Sequence, residues 1–248
     1  MAEKSIQKLE SDAVVLLQKE LGEPLSIAVR VLNLISALHA VETSGKLPLS
    51  QIVRLLLLQR IQNDLRCGII LAERGYPFQA LGHAASIFEG WVTIAAIQNE
   101  ERAKEWLSHK DETFSFGRIR PLTQQALEHI LGNADDTAKL YSQYQQVCMA
   151  KHLNPILERS RGYKVEGKTI HFRPGPDVDP IAIGYAWYAV ERSSRFAFFA
   201  SLAFIQNDPT PLPSDLRRRA EALRVALDEL QAKSVGRWPD SYTAETSS

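Results

Sequence analysis

The chain has 248 residues, 45% of them hydrophobic, and a formal net charge of zero, enough apolar material to bury a sizeable core in one large helical domain. Balanced charge removes any whole-molecule attraction to nucleic acid or to an acidic membrane surface, and two well-separated cysteines exclude a disulfide framework. The opening residues, MAEKSIQKLESD, are charged and lack the apolar run of a signal peptide, so a cytoplasmic chain is expected.

The first predicted helix covers residues 5–21, with Ile6, Leu9, Ala13, Leu16 and Leu17 at helical spacing and Gly22 closing it. A more apolar helix follows over residues 25–43, where Ile27, Val31, Leu34, Ile35 and Leu38 recur at three and four. Ser44, Gly45 and Pro48 punctuate its end. His39 lies near that C-terminus, where the helix dipole favours a cation, and a surface role is expected for it.

Residues 49–98 form the centre of the chain: two long helices, LSQIVRLLLLQRIQNDLRCGIILAERG and PFQALGHAASIFEGWVTIAAIQ, separated by Gly75-Tyr76-Pro77. Gly75 can take the left-handed conformation that ends a helix and Pro77 suits a first turn, so an antiparallel pair is expected. On a wheel of about 100° per residue, Val53, Leu56, Leu57, Ile61, Leu65, Cys67, Gly68 and Leu71 share an apolar face. Gln51, Gln62, Arg66 and Glu73 fall opposite. Arg60 and Asp64 stand one turn apart within that apolar face, which predicts a buried ion pair that pins helix register or, alternatively, a polar cavity that the two line. On the ion-pair reading Asp64→Ala costs a few kcal/mol by leaving Arg60 unpaired. The second helix has a wide apolar arc, including Leu81, Ala84, Phe88, Trp91, Val92 and Ala95, as an inner helix must. Its other face carries Gly82, His83, Ser86, Glu89, Gly90 and Thr93, where small residues admit a neighbouring backbone. Glu89, at the edge of the arc, is placed to reach Arg60, which makes Arg60, Asp64 and Glu89 a candidate buried polar cluster.

Residues 100–110 (EERAKEWLSHK) read as a short helix, acidic at its start and basic at its end. After the break FSFGRIRP come helices at 122–131 and 134–153, the latter carrying Leu140, Tyr144, Val147, Cys148, Lys151 and His152 and stopping before Asn154-Pro155. Both Cys67 and Cys148 are expected in the core. Residues 163–172 alternate apolar and polar around Gly167, the pattern of a small β-hairpin. Arg161, Lys164, Lys168, His171 and Arg173 make this stretch basic, as a solvated hairpin surface or, alternatively, a flap over an anionic ligand. Residues 181–206 are long and apolar, but Glu191, Arg192 and Arg195 in their middle speak against a membrane span. A second inner helix, with Glu191 and Arg195 paired one turn apart, is expected instead. The last helix, capped by Ser214, puts Leu216, Leu223, Leu227 and Leu230 on one face. The run Arg217, Arg218, Arg219 near its start opposes the dipole and marks a contact with something acidic, such as another subunit. The expectation is therefore an all-α fold: one bundle of about eight helices over residues 1–233, with a hairpin at 163–172 and a polar tail at 234–248.

Chemical motifs are few. There is no glycine-rich phosphate loop, no His-Glu-x-x-His, no paired Glu-x-x-His and no Cys-x-x-Cys, so neither metal nor cofactor is expected. The segment Arg102-Ala-Lys-Glu-Trp-Leu-Ser-His109 has an arginine separated by six residues from a histidine. That spacing resembles the motif of helical nucleases of the HEPN superfamily, although Ala103 stands where a polar residue would follow the arginine. The resemblance implies Arg102 and His109 as catalytic residues facing their mates across a dimer. A second resemblance spans roughly residues 49–155. The run ILAERGYPFQALGHAASIFEGWVTIAAIQNEERAKEWL, followed by YSQYQQVCMAKHLNP, is similar to a group of bacterial all-helical proteins catalogued as a domain of unknown function. It implies Gly75, Glu89, the Arg102 helix and the 141–152 segment as family features, with Ala85 replacing an expected arginine. If the helices bundle, His152 falls near Arg60, Asp64 and Glu89 as a candidate general base.

Two hypotheses follow. One is a non-enzymatic, self-associating helical interaction or regulatory protein, in a bacterial stress or phage-defence setting, whose partner is a second copy or another protein. The other is a metal-independent, HEPN-like ribonuclease using a histidine base and an arginine against RNA. Neutral overall charge favours the first.

Overall fold

The computed structural model describes residues 5–41, 46–108, 134–151, 163–166, 169–172, 175–207 and 213–234. Eight helices run through them: α1 (Ile6–Glu20), α2 (Gly22–His39), α3 (Leu49–Glu73), α4 (Pro77–Ala96), α5 (Glu100–Leu107), α6 (Ala134–Lys151), α7 (Pro180–Gln206) and α8 (Ser214–Ser234). The fold is all-α. Between α6 and α7, strands β1 (Tyr163–Glu166) and β2 (Thr169–Phe172) pair antiparallel, with Tyr163 opposite Phe172. The 122–131 helix expectation lies outside the described residues.

Local chemistry explains where several helices begin. Ser5 accepts from the Lys8 amide at α1, Asn99 from the Arg102 amide at α5, and Asp179 from the Ala182 amide at α7, each supplying an acceptor that the first turn lacks. Helix α3 follows Pro48, which offers no capping side chain. Glu100 of α5 does this instead, its Oε1 accepting from both the amide and the hydroxyl of Ser50 at 3.0 Å. Those bonds hold the Glu100 carboxyl below its ordinary pKa.

Helices α4 and α7 are the inner pair, packed on each other. Helices α3 and α6 lie against α4, and α2 and α8 lie against α7. An aromatic cluster fills the α4–α7 contact: Phe88 meets Trp91 and Phe196 edge-on, and stacks on Tyr144 of α6 with ring centroids 4.4 Å apart. The expected inner position of residues 181–206 holds. Helix α7 is buried over nearly its whole circumference, its charges included. Glu191, 0% exposed, receives Arg195 Nε at 2.8 Å and lies 3.2 Å from Arg192 Nε. Arg195 also donates to the Leu227 carbonyl and reaches Asp228 of α8. Arg192 donates to Gln143 of α6 and lies over the Tyr188 ring. Glu191 thus lies between two arginines of its own helix, Arg195 has a second carboxylate in Asp228 of α8, and Arg192 is solvated by the Gln143 amide of α6, which compensates the buried charges.

The turn between α3 and α4 follows the expected chemistry. Gly75 has φ +84°, with its amide bonded to the Ala72 carbonyl and the Tyr76 amide to that of Leu71, a Schellman ending. A Cβ at this position would lie 2.7 Å from Pro176 Cβ, because the strand of chain entering α7 crosses here and bonds Asp177 N to the Gly75 carbonyl.

The buried face of α3 shares Val53, Leu57, Ile61, Leu65 and Gly68 with the one expected but adds Ser50, Gln51, Arg54, Leu58, Gln62 and Ala72, and so is centred roughly 70° away on the helical wheel. Four polar residues on that face hide it from a hydrophobicity pattern. Arg54 is fully enclosed, donating to the Ile97 carbonyl at 2.9 Å and to the Asn207 carbonyl at 2.9 Å, the C-terminal ends of α4 and α7. Gln62 donates to Ser36 of α2. Leu56 and Cys67, expected in the core, are exposed, and Cys148 is half-buried. His39 is half-buried rather than on the surface: Nδ1 faces the Ile35 carbonyl and Nε2 the Leu55 carbonyl, joining α2 to α3.

Three outcomes follow. Arg54→Met keeps the volume but orphans two carbonyls, and is expected to lower stability by about 3 kcal/mol in urea unfolding, with faster amide exchange in the last turns of α4 and α7. Gly75→Ala forces a left-handed alanine against Pro176, and should lower stability by about 1–3 kcal/mol in the same measurement. The depressed Glu100 pKa means its bond to Ser50 is intact above the ordinary carboxylate range and is lost as pH falls through the lower folded value. The Ser50 amide NMR shift should titrate there, and Glu100→Gln should abolish that titration.

Candidate functional site

The half-buried face of α4 behaves as its small residues suggest. A Cβ on Gly90 would lie 2.9 Å from Ile61 of α3, and one on Gly82 would touch Lys151 Cα of α6, so both neighbours approach closely. Polar side chains line these two approaches. On the α3 side, Asp64 Oδ1 lies 3.1 Å from His83 Nδ1, and Arg60 Nε lies 3.8 Å from Asp64 Oδ2. On the α6 side, Lys151 Nζ donates to both Glu89 oxygens, at 2.8 and 2.7 Å, and the Tyr144 hydroxyl donates to Oε1 at 3.1 Å. Burial pushes the Tyr144 hydroxyl well above its ordinary pKa, with Cys148 and the Glu89 charge adding to the shift. Burial likewise raises the Cys148 thiol, which disfavours the thiolate a nucleophile would need.

The expected cluster of Arg60, Asp64 and Glu89 therefore divides in two. Arg60 and Asp64 do approach each other, but the Arg60 side chain is 75% exposed. Glu89 takes Lys151, not Arg60, as its partner. Both differences follow from the rotation of α3, which puts residue 60 at the rim of the buried face. Spacing along the chain gives His83 no partner and nothing that singles out Lys151, 62 residues from Glu89. One signal was available for His83, since it shares a helix face with Gly82, Ser86, Glu89 and Gly90.

Chemically, an imidazole bonded to a carboxylate through Nδ1 is oriented, and in its neutral form presents Nε2 as a proton acceptor. Of the other candidates, Arg102 is exposed and pairs with Glu105 at 2.9 Å within α5. His109, His152, Arg161, Lys168 and Arg173 lie outside the described residues. Lys164 and His171 are backbone partners across the hairpin. In α8, Arg218 pairs with Asp215, which offsets the basic first turn. Arg217 and Arg224 edge a groove of about 200 Å³ floored by Phe198, Leu202 and Ile205. Among the described residues, no three His, Cys, Asp or Glu side chains gather closely enough to hold a metal ion, and no single helix is long and apolar enough to cross a membrane.

The rotation of α3 has a second effect: it turns apolar side chains outward. Ile52, Leu56 and Ile70 are 39%, 56% and 49% exposed, on one stripe of the helix with exposed Gln59, Asn63 and Arg66 between them. Large aliphatic side chains aligned on an outward helix face are a feature of association surfaces. No family model, curated protein or solved structure matches the chain.

The exposure of Arg60 replaces the large effect expected for its pair. Arg60→Ala should change stability by less than about 0.5 kcal/mol, and Asp64→Ala, which releases His83, by about 1 kcal/mol, both read from chemical denaturation. Lys151→Met leaves Glu89 with Tyr144 alone and should cost about 1 kcal/mol, largely recovered when Glu89→Gln is combined with it.

Proposed function

We propose that the protein is a non-enzymatic, self-associating helical interaction module. The observation that carries this reading is the outward stripe of α3, where Ile52, Leu56 and Ile70 face solvent on a helix whose opposite side is fully used by the core. Zero net charge supports it, because two copies meet without mutual repulsion. Arg102, the arginine of the nuclease-like motif, is occupied by Glu105, which weakens that motif as a source of activity.

A second reading, a metal-independent ribonuclease, draws on a different observation: the His83 imidazole oriented by Asp64, with Arg60 one turn away and exposed. A base beside an exposed guanidinium is the set that phosphodiester cleavage uses.

Light scattering on the eluting protein is expected to give twice the 27.8 kDa chain mass, with Leu56→Glu shifting it to the single-chain value at unchanged helicity. A monomer at all concentrations would remove the association reading. Incubation with labelled RNA in EDTA decides the second: cleavage lost in His83→Ala would move the protein to the enzymes, and intact RNA would leave the module standing.

A further inference from the structure

The outward stripe of α3 has an internal order that specifies how a second copy would sit on it, and this step rests on the self-association reading above. Its exposed residues Ile52, Leu56, Gln59, Asn63, Arg66 and Ile70 are spaced alternately by four and three, the repeat that keeps one seam of a helix facing a partner helix. The seam is also self-complementary. Laid against itself in the antiparallel sense about a two-fold axis beside Ile61, it sets Ile52 opposite Ile70 of the second copy. Leu56 then meets the aliphatic stem of Arg66, and Gln59 meets Asn63, two amides able to exchange hydrogen bonds. Within one chain these amides already associate, Gln59 Nε2 donating to Asn63 Oδ1 at 3.3 Å, so they are aligned along the seam.

Charge selects the same direction. Parallel pairing would stack Arg66 on Arg66 and Arg60 near Arg60 in register, with no acid between them, whereas like charges in contact oppose pairing. Antiparallel pairing instead sets each Arg66 stem on Leu56 and leaves Arg60, 75% exposed, in solvent beside the seam.

We infer that α3 is a homotypic interface, pairing antiparallel with α3 of a second copy through Ile52–Ile70, Leu56–Arg66 and Gln59–Asn63 layers. The pairing is isologous and therefore closes at two copies.

Two double variants test the direction. In Ile52→Glu/Ile70→Glu, antiparallel pairing sets carboxylate against carboxylate at both ends. In Ile52→Glu/Ile70→Lys, it sets carboxylate against ammonium. All four substitutions are on exposed positions, and circular dichroism checks that both variants keep the wild-type helicity. Sedimentation equilibrium over a concentration series is expected to show a wild-type dimer, association weakened at least about 100-fold toward monomer in the first variant, and a dimer restored to within about tenfold in the second. A wild-type dimer that neither variant disturbs would overturn the inference and leave the association reading in place. Loss of the dimer in both variants would overturn it in favour of parallel pairing. A monomeric wild-type chain would overturn the inference and the association reading together.

Discussion

Arg54 is the point on which the inner helices are aligned. Its guanidinium is enclosed between the ends of α4 and α7 and donates to the last carbonyl of each. A buried charge needs compensation, and here the compensation comes from two helix C-termini, whose unpaired carbonyls and dipoles both favour a cation. The geometry works only if α4 and α7 end at the same level beside the first turns of α3. That level sets the register in which Phe88 and Trp91 meet Phe196, and through Phe88 the position of Tyr144 on α6. It also sets the rotation of α3, because turning Arg54 inward turns Ile52 and Leu56 outward. The core face and the outward apolar stripe of α3 are thus two faces of one constraint.

A parallel solution operates further along α7. Glu191, Arg192 and Arg195 are as deeply enclosed as their apolar neighbours, and each is matched locally or by a side chain from α6 or α8. Such sites add little net stability over an apolar core, but they penalise misregistered packing heavily, since a shift of one turn leaves a charge unmatched. The inner helices of this fold are therefore positioned by polar contacts and filled by aromatic ones.

Much of this architecture is legible in the chain. The α3–α4 break needs a left-handed residue followed by a proline at a first helical position, and Gly75 and Pro77 provide both. The inner placement of α4 and α7 follows from apolar arcs too wide for a surface helix, and the Glu191–Arg195 pair from its spacing. The orientation of α3 was not legible from hydrophobicity, because Ser50, Gln51, Arg54 and Gln62 belong to its core face while Leu56 and Cys67 do not. A spacing argument recovers it: Arg54, Leu58, Ile61, Leu65, Gly68 and Ala72 alternate by four and three, with the arginine in phase. The partner of Glu89 was beyond reach for another reason. Lys151 is on a helix whose placement depends on tertiary packing, and nothing in the spacing of residues along the chain encodes that contact.

The contact of Arg195 with Leu227 and Asp228 bears on how the chain is made. During synthesis α7 leaves the ribosome before α8, carrying a guanidinium that has Glu191 on its own helix but whose Leu227 and Asp228 partners have yet to be polymerised. Docking α7 into the groove between α2 and α4 at that stage would bury this cation incompletely matched, which is strongly unfavourable. The surroundings of Arg195 are therefore complete only after the C-terminal helix emerges, and the part of α7 that α8 covers is open until then. For a nascent chain, that interval is when chaperone capture and intermolecular misassembly compete with folding.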